Sequence, residues 1–299
     1  MEGQARSGPQ RTGFGTEEDR PSIDDSHTAS APNSKHYGSG CKESEGKATP
    51  LINPNSFPME NRWGSIQNDI RRRVVITDAH PDWTVGDSED LSQCTLQLVG
   101  GADVSYDGVR AVGALAVINF RSLEVVEVRT KKTTVDVDYV PGYLGFREAP
   151  LIVELLRELK VQRPGVYPQL LVVDGNGIFH PRRCGLACHV GVLLDIPAFG
   201  VAKKCMKVDR YNRHLVRDLA DKYLHKKNSF LYLRNRENTE LLGALYRTSA
   251  CGKTSVIVSV GHRVSLDTCV ALMPRLCSAR ICHPIRHADR VSRAALERT

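Results

Sequence analysis

The chain has 299 residues, of which 41% are hydrophobic and 25% are charged, a composition typical of globular domains. It contains no apolar run of about 18 residues, which excludes a transmembrane helix, and its start lacks the apolar segment of a secretory signal. Nine scattered cysteines, an odd number, predict free thiols in a reducing compartment rather than a disulfide framework. We therefore expect a protein that is neither secreted nor bound to a membrane.

The formal net charge of +7 is an average over two unlike segments. Residues 1–60 contain six Lys or Arg against nine Asp or Glu, are rich in Gly, Pro and Ser, and hold few large apolar side chains. Because burial in such a segment cannot offset its chain entropy, we predict a disordered tail over 1–60 and one folded domain over 61–299. The folded part carries 35 basic and 25 acidic residues, which fits a polyanionic partner such as nucleic acid and equally fits an ordinary solvated surface.

In chain order, the predicted domain begins with a short helix over 62–73, where apolar residues recur at intervals of three and four. Three apolar segments follow at 96–104, 111–120 and 123–130, and the short turns between them predict an antiparallel meander. A strong amphipathic pattern then begins at Pro150 and predicts a helix that opens with this proline.

Strands and helices alternate in the rest of the domain. Residues 169–174 form a continuous apolar run that ends in an acid, which is typical of a buried parallel strand. Helices are predicted at 186–194 and 265–276, and strands at 198–203, 241–247 and 255–260. A three-stranded meander followed by this alternation predicts an α/β protein with a mixed central sheet flanked by helices, the topology of the ribonuclease H-like fold.

Two carboxylates follow the two most apolar strands, Asp103 after 97–102 and Asp174 after 170–173. Ligands of open α/β sheets collect beyond the carboxyl ends of the strands, so neighbouring parallel strands would bring both acids into one site. Clustered carboxylates repel each other, and a hard divalent cation such as Mg²⁺ or Mn²⁺ relieves that repulsion and can activate water at a phosphodiester. The alternative is that each Asp merely caps a turn, which the Asp174-Gly175 pair also suits.

Other candidate residues have two interpretations that local sequence leaves open. Glu148, just before Pro150, is either a third metal-directed carboxylate or an acid that complements a helix dipole. Tyr139 lies in a rigid Pro-Gly turn and is either a base-stacking aromatic or an ordinary surface tyrosine. His262 follows a strand and is either a site residue or a buried histidine with satisfied hydrogen bonds.

Basic residues follow two of the strands at the edge that carries Asp174. They are Arg182 and Arg183 in the segment after the first strand, and Lys203 and Lys204 at the end of the second. Their position suits contacts with phosphate groups.

Motifs in this order resemble those of the endonuclease V family, whose members recognise inosine in nucleic acid. The resemblance spans about residues 61–292, nearly all of the predicted domain. It is carried by Val99-Gly100-Gly101-Ala102-Asp103-Val104-Ser105-Tyr106, Tyr139-Val140-Pro141-Gly142, Phe146-Arg147-Glu148, Val173-Asp174-Gly175-Asn176-Gly177-Ile178, His180-Pro181-Arg182-Arg183, Gly200-Val201-Ala202-Lys203-Lys204, Ser259-Val260-Gly261-His262-Arg263 and Ile285-Arg286-His287-Ala288-Asp289.

The resemblance implies a ribonuclease H-like fold and Mg²⁺-dependent hydrolysis, with Mn²⁺ as a substitute, of the second phosphodiester 3′ of inosine. The products would carry 3′-hydroxyl and 5′-phosphate ends. It also implies a monomeric enzyme of the cytoplasm and nucleus, including the nucleolus, that needs no membrane. Among the family types, the Cys188-His189 pair is more similar to animal members, so we expect inosine-containing RNA as substrate, with activity on deoxyinosine-containing DNA retained.

The same resemblance implies roles for individual residues. The metal ligands and catalytic acids would be Asp103, Asp174 and Glu148, with Lys203 by the scissile phosphate and His262 and Asp289 near the metal or its water. Tyr139 would be the wedge that fills the gap left by the displaced base, and Gly142, Leu144, Gly177 and His180 would surround the hypoxanthine.

This chain departs from the family pattern at two positions: Asp138 replaces the usual proline before the wedge, and His283 replaces an acid before a late proline. Neither departure removes a catalytic group. The alternatives to an inosine-specific nuclease are a non-catalytic nucleic-acid-binding module, which usually lacks one of the acids, and another ribonuclease H-like nuclease without inosine preference.

Overall fold

The computed structural model describes residues 59–80, 82–86, 91–135, 138–249 and 254–298. The tail predicted over 1–60 lies outside these residues except for its last two positions, and the predicted boundary between tail and domain stays a prediction. Among the residues described, no helix is both long enough and apolar enough to cross a membrane.

An eight-stranded sheet forms the centre of the described region, with strands in the order β3-β2-β1-β4-β5-β8-β7-β6. Strands β1, β4 and β5 run parallel, and the remaining neighbours pair antiparallel. The strands are β1 (Leu98–Asp107), β2 (Arg110–Asn119), β3 (Val125–Thr134), β4 (Leu170–Asp174), β5 (Ala198–Ala202), β6 (Phe230–Arg234), β7 (Leu241–Arg247) and β8 (Ser255–His262). The helices are α1 (Met59–Arg73), α2 (Leu144–Gln162), α3 (Leu186–Leu194), α4 (Arg213–Tyr223), α5 (Leu266–Leu276) and α6 (His283–Glu297).

The central strands are buried on both faces because apolar side chains alternate between two cores. In β4, Leu170 and Val172 pack into a core that includes buried residues of α5, whereas Leu171 and Val173 pack against α2 and α3. A strand buried on both faces has a continuous apolar sequence, which is why β4 was predictable from its sequence. The same packing fixes β4 in the middle of the sheet, where its carboxyl end borders the site.

The predicted meander, the strand at 169–174 and the helices at 186–194 and 265–276 are confirmed. The prediction that a helix opens at Pro150 was wrong, because α2 begins at Leu144 and contains both Glu148 and Pro150. Proline cannot donate a hydrogen bond to the preceding helical turn. Phe146, which lies four residues before Pro150, stacks its ring on Trp63 with centroids 5.1 Å apart.

Two α-helices and one strand of the described region were not predicted: α4, α6 and β6. The buried face of α6 consists of Pro284, Ile285, Ala288 and Ser292, and most of these side chains are small. Small residues carry a weak hydrophobic signal, so a helix that packs by close backbone approach escapes a search for large apolar side chains.

Candidate active site

Two carboxylates project from one face of the sheet where β1 and β4 run side by side. The parallel register sets Ala102 beside Val173, so Asp103 and Asp174 follow at equivalent positions of neighbouring strands. Side chains alternate between the faces along a strand, and equivalent positions in parallel neighbours share a face. Both carboxylates are half-buried and meet at the carboxyl edge of the parallel strands.

Asp103 lies inside its strand rather than after it. Strand β1 continues to Asp107 because the hairpin partner β2 pairs with it as far as Asp107 and Arg110. The predicted strand end at Asp103 was therefore wrong, whereas β4 does end at Asp174. Beyond Asp103, β1 extends past the end of β4, and Asp103 faces an open pocket.

Helix α6 packs across β1 and carries a hydrogen-bond donor to Asp103. The two backbones approach so closely that a Cβ atom on Gly101 would lie 2.1 Å from the carbonyl carbon of Pro284, so only glycine fits there. From the next turns of this helix, Ser292 Oγ donates to Asp103 Oδ2 at 2.8 Å. Packing of α6 on the sheet therefore delivers a buried hydroxyl to a site carboxylate.

The pocket in front of the two strands has a volume of about 380 Å³ and is lined by charged side chains. Asp289 of α6 faces it, with its Oδ1 held by Arg293 Nε and Nη2 at 3.0 and 2.8 Å. Lys203, which follows β5, directs its Nζ onto Asp174 Oδ2. The structure thus brings Asp103, Asp174, Asp289 and Lys203 together, although they come from four separate elements of the chain.

Glu148 belongs to α2, which covers the other face of the sheet, and it adds a third acid to the cluster formed by Asp103 and Asp174. It is 8% exposed, and burial, together with the negative charges of Asp103 and Asp174, raises its pKa to about 8. Burial also raises the pKa of Asp103 to about 6, against the effect of the Ser292 hydrogen bond and with further contributions from Asp174 and Asp289. The acids share one electrostatic environment and are costly to ionise together.

The donor chemistry of this cluster suits a hard divalent cation. Among the described residues, no three His, Cys, Asp or Glu side chains already converge closely enough to enclose a metal ion. Nevertheless, the carboxylate oxygens of Asp103, Asp174 and Glu148 are the ligands that Mg²⁺ and Mn²⁺ prefer, and a cation would relieve the repulsion among these acids. The Lys203 ammonium group on Asp174 demonstrates that this position already accommodates a positive charge.

A second cluster forms around the turn that precedes α2. Gly142 has φ +83°, a conformation that glycine adopts without strain, and its carbonyl accepts from Arg182 Nη2 at 2.7 Å and from Gln67 Nε2 at 3.2 Å. His180 lies beside this glycine. Burial and the positive charge of Arg182 lower the pKa of His180 to about 4, so its imidazole is neutral at neutral pH. The structure therefore brings Gly142 and His180 together. Gln67, which the sequence did not single out, supports the turn through its hydrogen bond to the Gly142 carbonyl.

Aromatic rings continue this cluster toward α3. Phe146 stacks on Trp63 and meets the His189 ring edge-on with centroids 4.9 Å apart, while the Arg182 guanidinium lies 3.9 Å from the Tyr143 ring centroid. Trp63 belongs to α1, so this helix is part of the wall around the turn. A conformationally restrained glycine turn packed on rings provides a rigid edge for a planar ligand.

The two arginines predicted as phosphate contacts form hydrogen bonds within the protein. Arg182 is held by Gln67 and by the carbonyl of Gly142. Arg183 Nε donates to Glu240 Oε2 at 2.9 Å. Both guanidinium groups are therefore positioned to support the turn and its surroundings, and their contact with phosphate stays a prediction.

The remaining predicted substrate contacts occupy different environments. Tyr139 is 60% exposed, so its ring projects into solvent as a wedge requires. Leu144 is half-buried at the start of α2. Gly177 is buried against β8, where its amide donates to Ser259 Oγ at 2.8 Å and a Cβ atom would lie 1.9 Å from the carbonyl oxygen of Val260. Close backbone packing alone therefore requires glycine at 177, and its contact with a base stays a prediction.

Comparison with known proteins agrees with this architecture. A sequence profile of the Endonuclease V family matches residues 83–290. Human endonuclease V is 40% identical over 240 residues, which are 79% of this chain and 83% of the human protein. The chain belongs to the endonuclease V family.

Solved structures of endonuclease V proteins have the same fold. The catalytic domain of the human enzyme is similar with a TM-score of 0.74 at 36% identity, over 80% of this chain and 96% of that domain. A Ciona intestinalis endonuclease V in complex with a 24mer DNA containing an inosine followed by a ribo-adenosine is similar with a TM-score of 0.71 at 29% identity, over 80% of this chain and 98% of that one. The ribonuclease H-like fold is thereby confirmed, and the protein is a nuclease. Endonuclease V enzymes generally depend on a divalent metal.

One residue that the endonuclease V resemblance implied near the metal lies elsewhere. His262 ends β8, which is antiparallel to β5, and it pairs with Ala198 at the start of β5. His262 therefore lies at the opposite end of these strands from Asp174. Its Nε2 lies 3.1 Å from Asp195 Oδ1 and its Nδ1 accepts from the amide of Val75 at 3.2 Å. This geometry corrects the expectation and favours the alternative of a buried histidine with satisfied hydrogen bonds.

Proposed function

We propose that this protein is a divalent-metal-dependent endonuclease that hydrolyses the second phosphodiester 3′ of inosine in single-stranded RNA, leaving 3′-hydroxyl and 5′-phosphate ends. It would use Mg²⁺, with Mn²⁺ as a substitute, and would also cut DNA that contains deoxyinosine. The observation that carries this proposal is the convergence of Asp103 and Asp174 on one sheet face with buried Glu148 in the same electrostatic environment.

Three of this chain's acids would hold the metal. A divalent cation held there would lower the pKa of a water molecule and neutralise charge on the scissile phosphate. Asp103, Asp174 and Glu148 supply its oxygen ligands, and Glu148 must first lose the proton that its raised pKa favours. Lys203 must also leave Asp174, and its ammonium group is then free to contact the phosphate. Asp289, oriented by Arg293, accepts a proton from the attacking water.

The turn before α2 would read the base. A planar hypoxanthine fits against Gly142, Leu144 and Gly177, with the neutral His180 imidazole as a hydrogen-bonding partner. Exposed Tyr139 would enter the stack that the extruded nucleotide leaves. Extrusion costs least when the nucleotide is unpaired, which favours single strands.

The preference for RNA rests on relatives rather than on a contact in this chain. The Ciona intestinalis protein was solved with DNA that contains an inosine followed by a ribo-adenosine, so a ribonucleotide stands next to the inosine. We expect this enzyme to favour a ribose at the same place. We further expect a monomer that acts in the cytoplasm and nucleus, including the nucleolus.

The test is cleavage of matched single strands that differ only in sugar and base. Four labelled oligonucleotides carry inosine, deoxyinosine, adenosine or deoxyadenosine at one central position, and each is incubated with enzyme and Mg²⁺. We expect inosine RNA to be cut fastest, deoxyinosine DNA more slowly, and both adenosine strands not at all. Asp103→Asn and Asp174→Asn should abolish cleavage.

Two outcomes of this test would support other functions. Equal cleavage of inosine and adenosine strands would indicate a ribonuclease H-like nuclease without inosine preference. Tight binding of inosine RNA without cleavage at any metal concentration would indicate a non-catalytic binding module.

A further inference from the structure

We propose that Ser292 is a positioning residue that fixes the Asp103 carboxylate in the orientation that binds the metal. The inference rests on the proposed function, because it assigns Asp103 to the metal. Ser292 lies on α6, which was not predicted from the sequence, and it is outside the motifs that this chain shares with the endonuclease V family.

The Ser292 hydroxyl is completely buried and has three oxygen neighbours. Its Oγ lies 2.8 Å from Asp103 Oδ2, 2.7 Å from Ser105 Oγ and 3.0 Å from the backbone carbonyl oxygen of Asp289. A serine hydroxyl has one proton to donate and lone pairs that accept. Ser105 is the only one of these three neighbours that can donate to Ser292, so a directed chain from Ser105 through Ser292 to Asp103 satisfies every hydroxyl.

The strongest acceptor for the Ser292 proton is the carboxylate. Hydrogen bonds to ionised acceptors are shorter and roughly twice as strong as neutral ones, and the distance to Asp103 is the shorter of the two available to this proton. The bond to the Asp289 carbonyl is the local back-bond that any helical serine can make. The geometry thus assigns the hydroxyl a task beyond its own helix.

Packing makes this donor rigid. Helix α6 lies on β1 with Pro284 against Gly101, so the helix cannot shift away without losing that backbone contact. Ser105 is two residues after Asp103 and therefore projects from the same face of β1. Helix and strand together hold one oxygen of Asp103 and leave its other oxygen free for a ligand.

Loss of this donor should weaken metal binding more than folding. Outer-shell partners of metal ligands typically contribute about 10- to 100-fold in metal affinity or activity. For Ser292→Ala we expect about 10-fold weaker binding of Mn²⁺ in the absence of substrate. For Ser105→Ala, which removes the donor one step further away, we expect a smaller loss of about 2- to 4-fold, below that range because its effect is indirect.

The experiment measures Mn²⁺ affinity by titration calorimetry on wild type, Ser292→Ala, Ser105→Ala and the control Thr248→Val. Thr248 is also completely buried, and its hydroxyl has no hydrogen-bond partner among the residues that the structure describes, so the control removes a buried hydroxyl outside the chain of bonds. Melting temperatures without metal are recorded for all four. The proposal predicts weakened Mn²⁺ binding in the order Ser292→Ala, then Ser105→Ala, with the control unchanged.

Wild-type Mn²⁺ affinity in Ser292→Ala would overturn the proposal, as would equal weakening in the Thr248 control. If Ser292→Ala fails to fold, half-buried Ser105 supplies the test, and unchanged affinity in Ser105→Ala overturns the chain of bonds. Failure of the proposed function has a different signature: wild type would bind Mn²⁺ yet leave inosine RNA intact, and the order of affinities would still decide the role of Ser292.

Discussion

Replacement of Glu148 by glutamine should stabilise the metal-free protein while abolishing cleavage. The pKa of Glu148 is raised from its ordinary 4.5 to about 8, so at pH 7.5 the folded state holds a proton that the unfolded state has released. At about 1.36 kcal/mol per pKa unit, that difference costs about 4 kcal/mol of folding free energy at pH 7.5. Glutamine is neutral and avoids this cost, although burial of its amide group costs about 1 to 2 kcal/mol.

The sign of the pH dependence follows from the direction of the shift. An acid whose pKa is higher in the folded state destabilises that state as pH rises from its unfolded pKa to its folded pKa, here from 4.5 to about 8. Wild-type stability should therefore fall across this window. The Glu148→Gln protein lacks this component, so the two proteins should differ little at pH 4 and most near pH 8.

The assay is thermal unfolding in EDTA from pH 4 to pH 8. A change of about 1 kcal/mol in stability shifts the melting temperature of a domain of this size by about 2 to 4 °C. From the net increase in stability, we expect Glu148→Gln to melt about 5 to 10 °C above wild type at pH 7.5. Glu154→Gln, an exposed substitution on the same helix, is the matched control and should show no such gain. Equal melting curves for wild type and Glu148→Gln at every pH would refute the claim that burial beside the other acids raises the pKa of Glu148 at a cost in folding free energy.

Three further predictions address other parts of the site. His262→Gln should cleave at the wild-type rate, because His262 lies at the opposite end of the parallel strands from Asp174. A rate as low as that of Asp174→Asn would show that His262 takes part in catalysis. Tyr139→Ala should weaken substrate binding and cleavage by about 1 to 3 kcal/mol, the contribution of one stacked base, without changing the free energy of unfolding. Tyr139→Phe keeps the ring and should bind and cleave like wild type; an equal loss in both variants would argue against a stacking role. Lys203→Met should bind Mn²⁺ more tightly in the absence of substrate, because the lysine ammonium group no longer competes with the metal for Asp174, and it should cleave poorly. Weaker Mn²⁺ binding by this variant would contradict a competition between Lys203 and the metal.

Sequence patterns predicted the centre of the fold because buried strands have distinctive compositions. Residues 169–174 are apolar without interruption, so the strand and the position of Asp174 at its end were both predictable. Short turns in the first half predicted the meander in the same way. The error about Asp103 arose because a hairpin extends β1 through polar residues, a pairing that depends on β2 and not on the local apolar pattern.

Long-range geometry explains what the sequence could not provide. A strand's direction relative to its neighbour decides which sheet edge a residue occupies, and the antiparallel pairing of β8 moves His262 away from the acids. Helix α6 brings Ser292 to Asp103 across 189 positions of chain, and its small buried residues gave little hydrophobic signal. The tie between Gln67 and Gly142 likewise depends on how α1 packs, which no local motif records.

The most direct test of the central claim compares a single-stranded RNA that carries one inosine with the same RNA carrying adenosine, each with Mg²⁺ and with EDTA. We expect one cut, at the second phosphodiester 3′ of the inosine, only with Mg²⁺ and only in the inosine strand. The 3′ fragment should carry a 5′-phosphate. Cleavage in EDTA, or equal cleavage of the adenosine strand, would contradict the assignment of this acidic cluster to metal-dependent hydrolysis directed by inosine.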